Sequence, residues 1–486
     1  MRLIAWLLVV SLAATPRAFA QMTSQLPDLG DAGASDLTPA TERKIGEQVM
    51  RDLRRDPAFL DDPEVNEYLN ALGSRLVARA PGARQDFEFF GIRDSSINAF
   101  ALPGGFVGVH TGLITASDTE SEVASVLAHE IAHVTQRHIA RQMGIQKQMQ
   151  VPMMVALAAA LLLGRSRPDL AQAGIMGSQG AAIQSQLAFS RDFEREADRL
   201  GFQTLAAAGF DTRAMAAFFE KMQRYTRILD SGIVPSYLRS HPITTERISD
   251  AQARAESMPY RQTVDTLEYH LVRAKLRAEA APDARDAVRI FSEAVKDGRF
   301  ANEPGARYGL AIAYLRNGEP RRAEAEIARL RAEKVESSML DTAAARARLA
   351  EGDTAGALAL LKASFARFPH RRSVLYAMIG VLNDQGRYDE ALAAIAEPLK
   401  IYPRDVKLHE ARAKAYAGLG KRMQQHQAQA EVSVLQGSLQ GAIEQLQLAQ
   451  ATGEGNFYDQ SVIDARLKEL RAELARDMAD QKKQQR

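Results

Sequence analysis

The sequence contains no cysteine and few aromatic residues. Without cysteine the chain can form no disulfide, no thiolate metal ligand, no cysteine nucleophile and no lipid anchor on an N-terminal cysteine. An excess of charge is missing as well, because 62 basic residues face 60 acidic ones. A balanced chain has no strong field for a polyanion, so we expect no nucleic-acid partner.

The chain also lacks an apolar run long enough to span a membrane. Leu3–Ala14 is apolar but too short for that, follows Arg2, and is followed by small residues at Ala18 and Ala20. This pattern predicts a cleavable signal peptide over residues 1–20, with an uncleaved anchor as the alternative. A secretion signal in a cysteine-free chain fits a bacterial periplasmic protein at least as well as any other secreted class, because disulfides are permitted there but not required.

The remaining chain divides by pattern into a leader, two domains and a tail. A polar, Gly- and Pro-containing leader is expected over 21–40, and a mixed region with two or three short strands over 41–262. Only helical signals follow over 263–475, and 476–486 is expected to be a frayed polar tail. The predicted fold is mostly α: an α+β domain with a small sheet, then an all-α repeat domain.

The all-α region contains an internal repeat of 34 residues. Its period is marked by Gly318, Gly352, Gly386 and Gly420. Five positions after the first three of these glycines stands an alanine, and small residues let two antiparallel helices pack closely. This period and pattern predict tetratricopeptide repeats. The register fails after Gly420, which predicts an irregular or continuous helix over 421–437.

The segment His129-Glu130-Ile131-Ala132-His133 has the HExxH pattern and lies within a predicted helix over 117–146. Residues i and i+4 project from one helix face, so His129 and His133 can bind one zinc ion. Glu130 lies beside that face and can act as general base toward a water that zinc activates. The alternative is two histidines on an ordinary polar helix face.

The start of that predicted helix and its third histidine carry two further predictions. Ser117 with Glu120 has the spacing of a capping box. His138 lies five residues beyond His133, which rotates it about 140° from the metal-binding face. We therefore expect His138 at the surface, and we expect His110, on a predicted strand, to be packed or hydrogen-bonded.

A second predicted helix, over 186–207, carries acidic residues with the same spacing. Glu194 and Asp198 are i and i+4, so Glu194 can be the third protein ligand and Asp198 can accept a ring N–H of a zinc-binding histidine. Glu196 lies on another face and is the weaker candidate. The alternative for this pattern is a solvated helix face.

Three further segments are candidates for regulation, substrate binding and membrane contact. His241 can be a fourth zinc ligand or stabilise a tetrahedral intermediate, or be a structural loop histidine. Asn98, Ala99, Phe100 and Ala101 can bind a peptide backbone by strand addition, or form an ordinary strand. The apolar stretch 151–163 is expected to be core or lid, with peripheral membrane contact as the alternative.

The segments NAFALPGG, HEIAHVTQRH, SRDFEREADRLG and SHPITTERI occur in this order. With them the chain resembles the family of zinc metallopeptidases that includes HtpX and the CAAX prenyl protease, in particular its periplasmic members with tetratricopeptide repeats. The resemblance implies one Zn²⁺ per chain, bound by His129, His133 and Glu194, with Glu130 as the catalytic residue. It also implies that His241 can occupy the fourth zinc position and hold the enzyme off.

The same resemblance implies a cellular role. Family members of this type degrade stalled outer-membrane proteins and contact the outer-membrane assembly machinery through their repeats. The sequence therefore predicts a periplasmic zinc endopeptidase with a chaperone-like role in this assembly. The alternative is a repeat-based scaffold or chaperone whose peptidase is largely silenced.

Overall fold

The computed structural model describes residues 37–145, 191–228, 236–261 and 263–484. The predicted signal peptide, most of the predicted leader and the apolar stretch 151–163 lie outside these ranges. Inside them the chain is mostly helical, with one small mixed sheet in its first half. This agrees with the fold class predicted from the sequence. In the described part of the chain, no helix has both the length and the apolar character needed to cross a membrane.

The first half alternates helices with four short strands. In chain order its described elements are α1 (Pro39–Leu53), β1 (Phe59–Leu60), α2 (Pro63–Val77), β2 (Glu88–Ile92), β3 (Ala99–Leu102), β4 (Phe106–His110), α3 (Thr111–Ala116), α4 (Glu120–Thr135), α5 (His138–Ile145), α6 (Arg191–Ala207), α7 (Arg213–Ile228), α8 (Ser236–Ser240) and α9 (Thr245–Glu256).

The sheet has the strand order β1-β2-β4-β3, with β2 and β4 parallel and the other pairs antiparallel. All residues of β4 are buried, as expected of an inner strand. The turn between β3 and β4 places Gly104 at φ 80° and Gly105 at φ 92°, a backbone region that favours glycine. Because β3 stands last in the strand order, it is the strand at one edge of the sheet, and α4 packs against it.

The long helix predicted over 117–146 is instead two helices, α4 and α5. The chain breaks at Arg137, which has a left-handed φ of 53°. The Arg137 guanidinium donates from Nε and Nη2 to Glu42 Oε1 on α1, at 3.1 and 3.0 Å. This contact, 95 residues away in sequence, stabilises a break that helix periodicity does not indicate.

The start of α4 also differs from the prediction. The capping box expected from Ser117 and Glu120 does not form, because the Ser117 hydroxyl donates to Leu113 O at 2.8 Å and closes α3. Thr119 caps α4 instead, since its hydroxyl accepts from the Glu122 N–H at 3.3 Å. The capping position is therefore two residues later than the sequence pattern indicated.

The second half consists of consecutive helical hairpins. Its helices are α10 (Leu267–Ala280), α11 (Ala284–Lys296), α12 (Glu303–Arg316), α13 (Pro320–Ala332), α14 (Ser338–Ala350), α15 (Thr354–Arg367), α16 (Arg372–Asp384), α17 (Tyr388–Ile401), α18 (Val406–Gly418), α19 (Arg422–Leu435), α20 (Leu439–Ala451) and α21 (Phe457–Gln484).

The predicted repeat corresponds to four of these hairpins. Its glycines lie in the turns, at φ 73°, 84°, 70° and 72° for Gly318, Gly352, Gly386 and Gly420. Beyond the last of them, the segment 421–437 contains the regular helix α19. α21 continues to Gln484, so most of the predicted frayed tail is helical.

The two halves share a hydrophobic core. One cluster of buried side chains extends from Leu60 in the first half to Ala344 in α14. α10 packs against both α2 and α3, and α16 also packs against α2. Helices of the second half therefore pack against α2, the helix that also packs against β2 of the sheet.

Candidate metal centre

Four side chains from three parts of the sequence converge in the first half. α4 contributes His129 and His133, α6 contributes Glu194, and the loop after α8 contributes His241. One ligand atom from each lies within 4.8 Å of those of the others, and all four side chains are buried. The structure thus brings together the three ligands and the fourth candidate that the sequence predicted.

The ligand atoms face one another at short range. His129 Nε2 lies 3.0 Å from His133 Nε2 and 3.3 Å from His241 Nδ1. The Glu194 Oε1 atom lies 2.9 Å from His241 Nδ1 and 3.4 Å from His133 Nε2. Three imidazoles and a carboxylate are therefore directed at one point.

Small residues let α6 approach α4 closely enough for this convergence. Ala132 on α4 and Ala197 on α6 are buried in one cluster. A Cβ on Gly201 would lie 3.0 Å from the backbone nitrogen of His129, tighter than ordinary van der Waals contact. The pair of helices therefore depends on the absence of bulk at these three positions.

Glu130 tests whether a metal ion suits this cluster. Its side chain is fully buried, and neither carboxylate oxygen has a hydrogen-bond partner in the described part of the chain. A buried carboxylate that makes no hydrogen bond is costly. A divalent cation among these side chains offsets the cost of the buried negative charge, and nitrogen and oxygen donors in this number suit such an ion. The residues present therefore fit a metal ion.

The surroundings hold these groups in different charge states. Burial raises the pKa of Glu130. Burial would also raise the pKa of Glu194, but His241, His129 and His133 outweigh it and hold that pKa well below its usual range. Burial lowers the pKa of His133. Glu194 is therefore held in its charged form, while Glu130 binds a proton more readily than an exposed glutamate.

Asp198 lies where the sequence predicted an acceptor for a metal-binding histidine. Its Oδ1 is 3.0 Å from His129 Nδ1, on the ring side opposite the ligand cluster. Burial lowers the pKa of His129, but Asp198 and Glu194 outweigh it and raise it to about 10. Asp198 therefore orients the ring of His129 and favours a proton on Nδ1.

Arg247, on α9, holds these acidic groups, and the sequence reasoning missed it. It donates from Nε and Nη2 to the two Asp198 carboxylate oxygens at 2.7 and 2.8 Å. Its Nη1 lies 2.8 Å from Glu194 Oε2. The available signal was its position in the segment SHPITTERI, six residues after His241.

His138 is not at the surface, so that prediction was wrong. Its side chain is fully buried, and its Nδ1 lies 2.8 Å from Nδ1 of His133. The break at Arg137 starts a new helix, so the rotation expected for a continuous helix does not apply. His138 Nε2 lies 3.1 Å from Oε2 of Glu196, the weaker acidic candidate. Burial lowers the pKa of His138 to about 4 despite that carboxylate.

The predicted substrate-binding residues lie on and just before the edge strand β3. Asn98 O accepts from His110 N at 3.0 Å, so alternation along the antiparallel pair directs the backbone groups of Ala99 and Ala101 away from β4. The backbone amide of Ala101 faces Glu130 and lowers its pKa, against the larger effect of burial. The edge strand therefore runs directly beside Glu130.

The side chains of Phe100 on β3 and His110 on β4 are in contact with each other. The Phe100 ring meets the His110 ring edge-on, with centroids 6.0 Å apart. His110 is buried, and its Nδ1 lies 3.0 Å from the Ser96 hydroxyl. This agrees with the packed or hydrogen-bonded role expected for His110.

Comparison with known families identifies both halves. The pattern of peptidase family M48 matches residues 63–255, and a tetratricopeptide repeat pattern matches residues 348–415. The first range contains all of the converging residues. The second contains the turns at Gly352 and Gly386.

Curated relatives extend the likeness over most of the chain. A beta-barrel assembly-enhancing protease of Escherichia coli K12 is 31% identical over 93% of this chain and 93% of its own. One from Yersinia pestis is 31% identical over 92% of this chain and 91% of its own. A putative beta-barrel assembly-enhancing protease from Vibrio cholerae is 34% identical, and the match spans 60% of either protein.

Proposed function

This chain belongs to peptidase family M48 and is a metallopeptidase, and we propose that it is a zinc-dependent endopeptidase of the periplasm that acts on outer-membrane proteins. The observation that carries the proposal is the buried convergence of His129, His133 and Glu194 beside the buried carboxylate of Glu130. We assign residues 41–262 to the catalytic domain and 263–475 to the repeat domain.

The residues around the cluster divide the work of peptide hydrolysis. His129, His133 and Glu194 would hold a zinc ion, whose Lewis acidity would lower the pKa of a water molecule and polarise a peptide carbonyl. Glu130 takes a proton as general base and delivers it to the leaving amine. The raised pKa of Glu130 suits both proton transfers, because a general base and acid works best when its pKa is nearer to the working pH than that of an exposed glutamate.

The edge strand β3 gives the substrate its orientation. The outward N–H and C=O groups of Ala99 and the C=O group of Ala101 can pair with an extended peptide, as a further strand of the sheet. Such backbone contacts carry little sequence preference. They suit an enzyme that cleaves unfolded segments of many different proteins.

His241 is proposed to keep the enzyme latent. Its Nδ1 lies 2.9 Å from Glu194 and 3.3 Å from His129, which is the position of a fourth ligand. Its Nε2 lies 3.4 Å from Glu130 Oε1, so its ring also covers the general base. Because Glu130 has no exposed surface, a peptide reaches it only after the residues that cover it, His241 among them, move.

The proposed location and substrates rest on sequence and on relatives. The predicted signal peptide over 1–20 favours export, and relatives that match over most of their length are named for enhancing β-barrel assembly. The repeats offer surfaces of the kind that bind proteins. We propose that they contact the outer-membrane assembly machinery, while the catalytic domain removes misassembled barrels.

Metal removal tests the chemical part of this proposal. Purified full-length protein is expected to contain one zinc per chain, and a chelator is expected to abolish cleavage of a denatured outer-membrane β-barrel protein. Adding zinc back should restore cleavage. Cleavage that persists in metal-free protein would refute the proposal.

Substrate capture tests the biological part. Glu130→Gln is expected to retain zinc and to trap outer-membrane proteins in cells. Glu246→Gln, at an exposed position on α9, is the matched control and should trap none. Trapped proteins without any outer-membrane component would contradict the proposed substrate class.

A scaffold with a largely silent peptidase is the second candidate, and the complete burial of Glu130 favours it. Expression of Glu130→Gln in cells that lack the gene separates the two. Full restoration of outer-membrane integrity would favour the scaffold, and failure to restore it would favour the enzyme.

A further inference from the structure

We propose that His138 is a positioning residue that orients the metal-binding ring of His133, and that Glu196 and Arg141 in turn orient His138. This inference rests on the proposed metal centre. It assigns a role to three residues that are not ligands. The three residues lie on α5 and α6.

The donor and acceptor pattern along this chain of contacts is self-consistent. The Nε2 of His133 faces the ligand cluster, so its proton is on Nδ1, which lies 2.8 Å from Nδ1 of His138. At that distance one Nδ1 donates and the other accepts, so His138 carries its proton on Nε2. That nitrogen lies 3.1 Å from Glu196 Oε2, which accepts from it.

Glu196 and His138, at the far end of this series of contacts, are held by an ion pair and by ring packing. Arg141 donates from Nη1 to the same Glu196 oxygen at 2.8 Å. The ring of Phe193 stacks on His138, with centroids 4.6 Å apart and an angle of 14° between the planes. The Arg141 guanidinium lies 4.7 Å from the centroid of that phenyl ring. His138 therefore has one orientation, fixed from its edge and its face.

His129 shows what such a contact does in the same centre. Its Nδ1 faces Asp198, which Arg247 holds with two hydrogen bonds. Around His133 the contacts likewise end in a carboxylate and an arginine, but the imidazole of His138 lies between the ring of His133 and that carboxylate. Partners of this kind fix the ring orientation and raise the basicity of the ligand, and their loss costs about 10- to 100-fold in metal affinity.

The test is the zinc affinity of full-length protein, measured by competition with a chromophoric chelator. His138→Phe keeps a flat ring on Phe193 but removes the acceptor. It is expected to lose about 10- to 100-fold in affinity. His138→Asn places an amide oxygen near the former Nδ1 and should recover part of the loss. His409→Phe, at a buried histidine of α18, is the control and should bind zinc like wild type.

The order of the two His138 variants separates positioning from packing. If His138 only fills space, His138→Phe will bind zinc as wild type does and His138→Asn will be the weaker binder, which would refute the proposal. Thermal unfolding of the metal-free variants shows whether each is folded. A variant that fails to fold is replaced by Glu196→Ala, which leaves His138 in place and is expected to lower zinc affinity by a smaller factor.

A double-mutant cycle tests the connection itself. If Glu196 acts through His138, then Glu196→Ala will lower affinity in wild type and change nothing in the His138→Phe background. Equal losses in both backgrounds would refute the relay. The proposed function fails separately, because in that case wild-type protein itself would bind no zinc.

Discussion

The two halves of this protein use residues in opposite ways. In the catalytic half, charged and polar side chains far apart in sequence are buried together, as with Glu194 and the histidines of α4. In the repeat half, small apolar residues at a fixed spacing pack neighbouring helices, as with Ala357 and Ala391, both fully buried. Chemistry is thus placed in the half with long-range polar contacts, and a regular architecture in the half with local apolar ones.

Contacts at the boundary combine both modes. Lys275 on α10 is buried and lies 2.5 Å from Asp62 and 2.7 Å from Glu64, at the start of α2. The Ser373 N–H of α16 donates to the Glu67 carboxylate, which is also on α2, at 2.8 Å. Two helices of the second half therefore bind polar residues at the start of α2, and this half forms part of the support for the catalytic half.

The largest expected effect is a loss of catalytic rate in the catalytic half without a loss of stability. Glu130→Gln should lower kcat for peptide cleavage by about 10²- to 10⁴-fold, the usual contribution of a general base. The melting temperature should not fall, because the substitution removes a buried carboxylate that has no hydrogen-bond partner in the described residues. Steady-state cleavage and thermal unfolding of the same sample measure both. A large loss of stability would show that Glu130 also supports the fold.

Arg247→Ala should instead reduce stability in that half. It leaves Asp198 and Glu194 buried without their cation, and breaking a buried pair in this way costs about 3–5 kcal/mol. Urea unfolding of the metal-free protein measures the free energy of unfolding. Arg247→Lys is the control, since it keeps the charge but not the two-point contact, and should lose less. Equal stability of wild type and Arg247→Ala would contradict the polar account of this half.

Overpacking should be the most damaging change in the repeat half. Ala391→Leu on α17 adds bulk at a fully buried position and should lower the free energy of unfolding by about 1–3 kcal/mol. Ala393→Leu, at an exposed position of the same helix, should change it little. Neither should alter zinc affinity, so a loss of zinc binding in Ala391→Leu would show that the two halves are more strongly coupled than proposed.

The smallest expected effect tests the turns of the repeat. Gly352 has φ 84° with open space around it, so Gly352→Ala meets only a backbone penalty of about 1–2 kcal/mol. Gly380 lies within α16, also in open space but without a positive φ. Gly380→Ala should therefore stabilise the protein by up to about 1 kcal/mol. Thermal unfolding of the pair is expected to give shifts of opposite sign.

Much of the site could be predicted because its information is local. The spacing of His129 and His133 places both on one helix face, and Glu194 and Asp198 repeat that spacing on α6. The partners across α5 and α6 were not predictable in this way. His138 was assigned to the surface because helix periodicity was extended through Arg137, where a contact with Glu42 on α1 stabilises a left-handed residue.

The sequence by itself indicated the helical repeat and the pairs His129/His133 and Glu194/Asp198, because each follows from spacing along one helix or between successive turns, while His241 and the zinc-peptidase chemistry rested on the resemblance of whole segments. Only the tertiary structure decided the contacts of His138, Glu196 and Arg247. Their positions depend on where one helix stops and how two others cross. Those features result from contacts between residues far apart in the chain, and no local pattern of the sequence contains them.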